Sequence, residues 1–330
     1  MLPTATLPFP AADSLRTAAT RLAALLTGGG GSLDDPGGGH LRFEAEIRLR
    51  PLGRAGAAPA EVWAVDGGQA VVADARCLQL VVARAARACF RHGTCEVEDE
   101  GTLRAFLLGG GEDRAVAAGL GLGIAEDATV DLNLLRDHEE WVLVDRCVEE
   151  ASPGAMVLVD GDLETDWRVP PSWLADLLAR AGAGGVVVAA VTKRSSLSRG
   201  GAPLLGALEM EASRALGPRA MWWAPVARSR AGARVVAARL DPDAPYAFRV
   251  DVSPGVDAEE ALSALSAVCD DAGFPGYPYP LTVADRLAAC PPWLRQDTWY
   301  EVDELLDRAG VPAEVRERAF ADRHDLMERF

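Results

Sequence analysis

The chain has 330 residues, 49% of them hydrophobic and 25% charged, with a formal net charge of −16. That length and apolar content suit one large globular domain or two ordinary ones with a sizeable buried core, and no run of about 18–20 uncharged apolar residues is available to span a bilayer. The acidic balance also speaks against a broad basic footprint, because sequence-independent nucleic-acid binding rests on Lys and Arg neutralising phosphates.

In chain order, Asp13–Leu26 reads as an amphipathic helix with Leu15, Leu22, Leu25 and Leu26 at helical spacing. No basic start precedes a compact apolar block, so this is not a signal peptide, and the expected compartment is cytoplasmic. "TGGGGSLDDPGGGH" then reads as a flexible loop or linker, and the alternation in "LRFEAEIRLRPL" as a half-exposed strand. "EVWAVDGGQAVVADARCLQLVVARAARACF" reads as a strand, a tight turn at Gly67-Gly68, and further strands, with Asp66 closing the apolar run Val62–Val65. An Asp-Gly hairpin turn would account for that piece on its own. "GTLRAFLLGGGEDRAVAAGLGLGIAEDATVD" has no clear assignment and contains loops.

"VDLNLLRDHEEWVLVDRCVEEAS" carries Leu132, Leu135, Trp141, Leu143, Val144 and Val148 near one face of a helix. Its acids Glu139, Glu140, Glu149 and Glu150 are mostly what a solvated face requires. After Pro153-Gly154, "AMVLVDGDL" repeats the earlier pattern of apolar strand, Asp160 and Gly161. "WLADLLARAGAGG" is a helix, and "GVVVAAVTKRSS" a buried strand ending at Lys193. A further helix, two or three strands and the helix "DAEEALSALSAVCDDAG" follow. In "GFPGYPYPLTVADRLAAC" both Tyr277 and Tyr279 precede prolines, and a helix carrying Asp285 comes next. The tail reads as two short helices broken at Gly310-Val311-Pro312.

Three strands thus deliver a polar residue at their C-terminal ends, Asp66, Asp160 and Lys193, which is where α/β folds build sites. Of 33 basic residues only Lys193 is a lysine, which suggests a place where a compact ammonium is needed and a planar guanidinium does not fit. Converging carboxylates suit a hard divalent cation, and such ions can activate water against a phosphodiester. Lys193 would then neutralise phosphate charge, and Tyr277 could hydrogen-bond a phosphate or stack on a base. Other chemistries lack their motifs. There is no phosphate-binding loop and no G-x-S-x-G elbow, and "GLGLG" at Gly119–Gly123 lacks dinucleotide spacing. The histidines His40, His92, His138 and His324 are scattered, and the six cysteines form no C-x-x-C pair and read as reduced thiols.

"AVDGGQA", "VLVDGDL", "VTKRSS" and "GYPYPLTVADRLA", in that order, resemble the motifs of the NurA nuclease family over roughly Glu61 to Ala289. The resemblance implies an α/β fold: an RNase H-like (Piwi-like) mixed sheet flanked by helices, here with N- and C-terminal helical extensions. It implies a manganese-dependent DNA nuclease, with Mg²⁺ as the second option, having 5′→3′ exonuclease and single-strand endonuclease activity. Such proteins act as homodimers beside HerA, a hexameric ATPase that translocates DNA, in end resection, recombination and repair. By that resemblance the catalytic set is Asp66, Glu140, Asp160, Lys193, Tyr277 and Asp285. Asp66, Glu140, Asp160 and Asp285 are its metal ligands, and Glu139 is the next choice for the helix-borne acid. The family commonly has histidine where this chain has Asp285, which either ligates the metal in its place or marks an altered site.

The expected organisation is residues 1–54 as helix, linker and strand, 55–290 as the nuclease domain and 291–330 as a helical extension. The two ends are candidates for partner docking and dimer contacts. DNA delivered through the translocase would reconcile the acidic chain with a DNA substrate. Two readings compete: a catalytically reduced RNase H-like scaffold that docks on a translocase ring, and a metal phosphoesterase for small substrates.

Overall fold

The computed structural model describes residues 12–27, 30–36, 40–54, 57–123, 125 and 128–321. In chain order its elements are α1 (Ala12–Thr27), β1 (Leu33–Asp34), β2 (Arg42–Phe43), β3 (Arg50–Pro51), β4 (Glu61–Asp74), β5 (Leu78–Arg91), β6 (Thr94–Asp99) and β7 (Arg104–Gly109). Next come α2 (Asp113–Gly119), α3 (Leu132–Glu150), β8 (Met156–Asp160), α4 (Pro171–Ala183), β9 (Val187–Thr192), β10 (Ser198–Arg199), β11 (Ala202–Pro203) and α5 (Leu204–Leu216). The chain continues through β12 (Trp222–Arg228), β13 (Arg234–Arg239), β14 (Phe248–Val252), α6 (Ala258–Ser266), α7 (Tyr279–Ala288), α8 (Pro292–Arg308) and α9 (Ala313–Ala319).

The main sheet has the order β2-β12-β13-β14-β9-β8-β4-β5-β6, with β3 on β12 and β7 on β5. β4, β5 and β6 form an antiparallel meander; β8 then lies parallel to β4, and β9 parallel to β8. That meander-then-parallel arrangement, flanked by helices, is the expected RNase H-like mixed sheet. The segment expected to be one half-exposed strand is instead two short pieces, β2 and β3, both antiparallel to β12. Their alternation reflects strand-like pairing at two points, with the chain leaving the sheet between them.

Strand alternation divides the core between the two faces of the sheet. Val62 and Ala64 of β4, Met156 and Leu158 of β8, and Ala189 and Val191 of β9 pack with Leu262, Leu265, Leu281 and Leu287 of α6 and α7. Trp63 and Val65, Val157 and Val159, and Val188 and Ala190 pack on the other face with Trp141, Val144, Leu177 and Leu178 of α3 and α4. Each fully buried leucine contributes about 1.5–3 kcal/mol relative to exposure, so both helical layers are held firmly. Asp131 caps α3, its side chain accepting from the Leu134 N–H at 2.9 Å, a cap worth about 1 kcal/mol.

Gly67-Gly68 is not a turn. Both residues sit inside the 14-residue strand β4, opposite Ala85 and Arg84 of β5. The hairpin turn lies at Ala75-Arg76-Cys77, where Arg76 adopts φ 69°. The glycines are there for close approach. A Cβ on Gly67 would overlap the Glu140 side chain coming from α3, and one on Gly68 would overlap the Ala288 carbonyl of α7. Helices on opposite faces therefore close onto adjacent glycines of one strand. All six cysteines are free thiols, and Cys89, Cys147 and Cys269 are buried. Among the described residues no helix is long and apolar enough to cross a membrane.

Candidate active site

The parallel ladder between β4 and β8 pairs Val65 with Val159 and ends there, because β8 stops at Asp160 while β4 runs on to Asp74. Asp66 therefore lies beside Asp160 at the point where the edge of β4 opens, although it is in mid-strand. Alternation turns Asp66, Asp160 and Lys193 to the face covered by α7, and α7 brings Asp285 to them. Oxygens of Asp66, Asp160 and Asp285 lie within 4.8 Å of one another. Burial of these groups runs from Asp66, buried at 8% exposure, to Asp285, whose side chain is 57% exposed.

Lys193 is the cation of this cluster. Its Nζ lies 2.5 Å from Asp160 Oδ2 and donates to Asp285 Oδ1 at 2.6 Å. It also stands 5.3 Å over the centroid of the Tyr277 ring. Tyr277 is buried and tilted against Phe248, and its hydroxyl has no hydrogen-bond partner of good geometry. Burial, then the charges of Asp160 and Asp66, push the Tyr277 phenol well above its ordinary value. Tyr279 points elsewhere: it is 45% exposed and packs edge-on against Phe90.

Of the two helix glutamates, Glu140 faces the aspartates and Glu139 does not. Glu139 Oε1 accepts from Arg104 at 2.6 Å. Glu140 reaches over Gly67 and is buried, paired with Arg136 Nε at 3.2 Å one helical turn earlier. It stands beside the converging group of three rather than within it. Burial pushes Glu140 up to about 8, with Arg136 opposing. Burial and the neighbouring charges of Asp160 and Glu140 push Asp66 up to about 9. Burial works against the Lys193 ammonium, yet its hydrogen bonds to Asp160 and Asp285 hold its pKa above the ordinary lysine value. These are the shifts of carboxylates crowded together with too little positive charge among them, and an oxygen-rich donor set of this kind fits a hard divalent cation.

Arg136 escaped the sequence reading, although the i,i+4 spacing in "RDHEE" was its signal. So did Arg84, a β5 residue whose Nε and Nη2 donate to the Ala288 and Ala289 carbonyls at 3.1 and 2.5 Å. It satisfies carbonyls that the end of α7 leaves free, and thereby fixes the helix that carries Asp285. Nothing local in the sequence pairs Arg84 with residues about two hundred positions away.

The same end of the sheet carries a second charged cluster on its other face. Arg249 of β14 donates from Nε and Nη2 to Asp251 at 2.9 and 2.8 Å, and pairs with Asp35 and Asp162 at 3.4 Å each. Asp251 Oδ2 also accepts from the Leu163 N–H at 3.1 Å, tying down the loop that follows Asp160. Beside it opens a cavity of about 550 Å³ lined by Asp35, Asp137, Asp162, Glu164 and Asp166 among others. There burial, followed by charge repulsion, pushes Glu164 up to about 7.

No family model matches the chain, and no curated protein matches it. Solved structures do. The NurA nuclease from Sulfolobus solfataricus aligns with a TM-score of 0.52 at 14% identity, over 90% of this chain and 94% of that one. A second NurA structure aligns with a TM-score of 0.44 at 8% identity, over 73% of this chain and 86% of the other. Human ENDOV gives 0.40 at 14% identity, over 70% and 83%; these two lower scores carry no argument. The fold of this chain matches that of the first, as its motifs implied.

Proposed function

We propose that this chain, whose fold matches that of a NurA nuclease, is a divalent-metal-dependent deoxyribonuclease. Its substrate would be single-stranded or end-bearing DNA, cut by 5′→3′ exonuclease and single-strand endonuclease action. It would work in the cytoplasm as a homodimer beside a HerA-type hexameric ATPase, in end resection and repair. The observation that carries the reading is the convergence of Asp66, Asp160 and Asp285 on one face of the sheet, with oxygens within 4.8 Å of one another.

Asp66, Glu140, Asp160 and Asp285 would hold Mn²⁺ or Mg²⁺. Bound there, such an ion supplies an activated water and stabilises the leaving oxygen of a phosphodiester. The protein's own residues do the rest. Arg136 pairs with Glu140 beside the aspartates, Lys193 would neutralise a non-bridging phosphate oxygen, and the Tyr277 hydroxyl, close to Asp160, would donate to one. The raised phenol pKa makes Tyr277 a donor and not a base. With a net charge of −16, the chain is not expected to gather DNA unaided, and delivery by the translocase would supply it.

The test is cleavage of end-labelled single-stranded DNA with Mn²⁺. Asp66→Ala and Asp160→Ala are each expected to lower the rate about a thousandfold or more. Full activity in both variants would remove the site assignment. Retained docking on the translocase with no cleavage in any metal would assign the scaffold reading instead.

A further inference from the structure

Lys193 does not stand at the rim of the carboxylate cluster. Its ammonium lies inside it, 2.5 Å from Asp160 and 2.6 Å from Asp285, two of the three residues whose oxygens converge. The third, Asp66, feels its charge across the cluster. An ammonium in that position takes the acceptor sites a divalent ion would need, and two cations crowded onto the same oxygens repel. The side chain is nevertheless 44% exposed, so it has a way out. Arg136 differs: it is engaged with both Asp137, at 2.7 Å, and Glu140, and both partners lie on its own helix.

We infer that Lys193 is the internal counter-ion of this site: the lysine and a divalent cation hold Asp160 and Asp285 alternately, and Lys193 becomes available to a substrate phosphate only once the cation has replaced it. The inference rests on the metal-dependent reading above and adds an order to it, cation first and phosphate second. It also explains why the chain's single lysine is here, among 33 basic residues. An ammonium is a point charge on a flexible stem and can exchange one partner for another by rotamer changes. A guanidinium forked onto a carboxylate gives up two bonds at once and binds phosphate as a plane. The buried Tyr277 ring supplies a surface over which the ammonium can shift without losing all of its stabilisation.

Because Lys193 is the only lysine, full-length protein grown on ¹⁵N-lysine gives one side-chain ammonium signal. That signal is expected at a hydrogen-bonded position without divalent ions. It should move to the free-lysine position, or vanish by exchange with water, as MgCl₂ is added, with the midpoint of calorimetric Mg²⁺ binding. Lys193→Met, which keeps the stem and removes the charge, is expected to bind Mg²⁺ roughly tenfold more tightly than wild type while losing cleavage. Mg²⁺ binding that leaves the ammonium signal unmoved, or no tighter binding in Lys193→Met, overturns the inference and leaves the nuclease reading standing. Failure of the wild-type protein to bind either Mg²⁺ or Mn²⁺ overturns both together.

Discussion

Two charged clusters lie back to back at one end of the sheet, and they are built to opposite ends. On the α3/α4 face, Arg249 is 2% exposed and forks onto Asp251, which is fully buried, with Asp35 alongside. Its donors are distributed over fixed carboxylates, and a backbone N–H from Leu163 takes a further acceptor of Asp251. On the α7 face, Asp160 and Asp285 share the half-exposed Lys193 next to Asp66, while Glu140 reaches in from α3 and keeps Arg136 of the preceding turn of its own helix. The first cluster is closed and holds the N-terminal segment and the loop after Asp160 in place. In the second, burial and crowding push Asp66 and Glu140 up, and the lysine among the aspartates is 44% exposed. Similar residue types on the two faces thus give a buried arginine locked among carboxylates on one side and a half-exposed lysine among converging carboxylates on the other, and the difference is how far each cation reaches solvent.

That contrast breaks most easily at Arg249. Arg249→Met leaves the fully buried Asp251 without the guanidinium forked onto it and is expected to cost roughly 3–5 kcal/mol in denaturant unfolding. A loss under about 1 kcal/mol would show that the clamp is not one.

Asp66→Asn should act in the opposite sense. A carboxyl raised from 3.8 to about 9 on folding takes up a proton, so its contribution makes the cation-free protein less stable as pH rises through that window. Removing the charge is expected to stabilise the cation-free protein at pH 8 by on the order of 2 kcal/mol and to flatten that slope, while abolishing cleavage. Thermal unfolding from pH 5 to 9 checks it, and an unchanged slope would mean that Asp66 is not the crowded group.

The smallest expected effect on stability is at Gly67. Gly67→Ala overlaps Oε1, Cδ and Cγ of the buried Glu140 side chain, which must swing aside, at a cost of about 1–2 kcal/mol. Cleavage, however, should fall at least about tenfold, because Glu140 loses its place beside Asp66. Equal activity in Gly67→Ala would detach Glu140 from the site.

Much of this arrangement was legible along the chain. The apolar runs ending at Asp160 and Lys193 are short buried strands, and the helix of Glu139 and Glu140 spans Leu132–Glu150 as its periodicity predicts. The prolines around Tyr277 do mount a helix, with Pro278 at its cap position and Pro280 in its first turn. The reading failed at Gly67-Gly68 because a glycine pair before an apolar stretch signals a turn, while the pressure for small residues came from α3 and α7, elements far along the chain. Arg84 and Arg249 were invisible for a related reason. An arginine in an apolar strand reads as an edge or a solvent-facing position until its distant partners are known.

The sequence by itself determined the strand and helix periods, the polar residues that end β8 and β9, and the uniqueness of Lys193, since each of these is set by local spacing and residue type. Only the tertiary structure decided that Asp66 lies beside Asp160, that Glu140 and not Glu139 turns inward, and that Asp285 shares a lysine with Asp160. Those outcomes depend on strand order and on how helices dock against opposite faces of the sheet. Both come from packing between residues roughly a hundred positions apart, which no local pattern encodes.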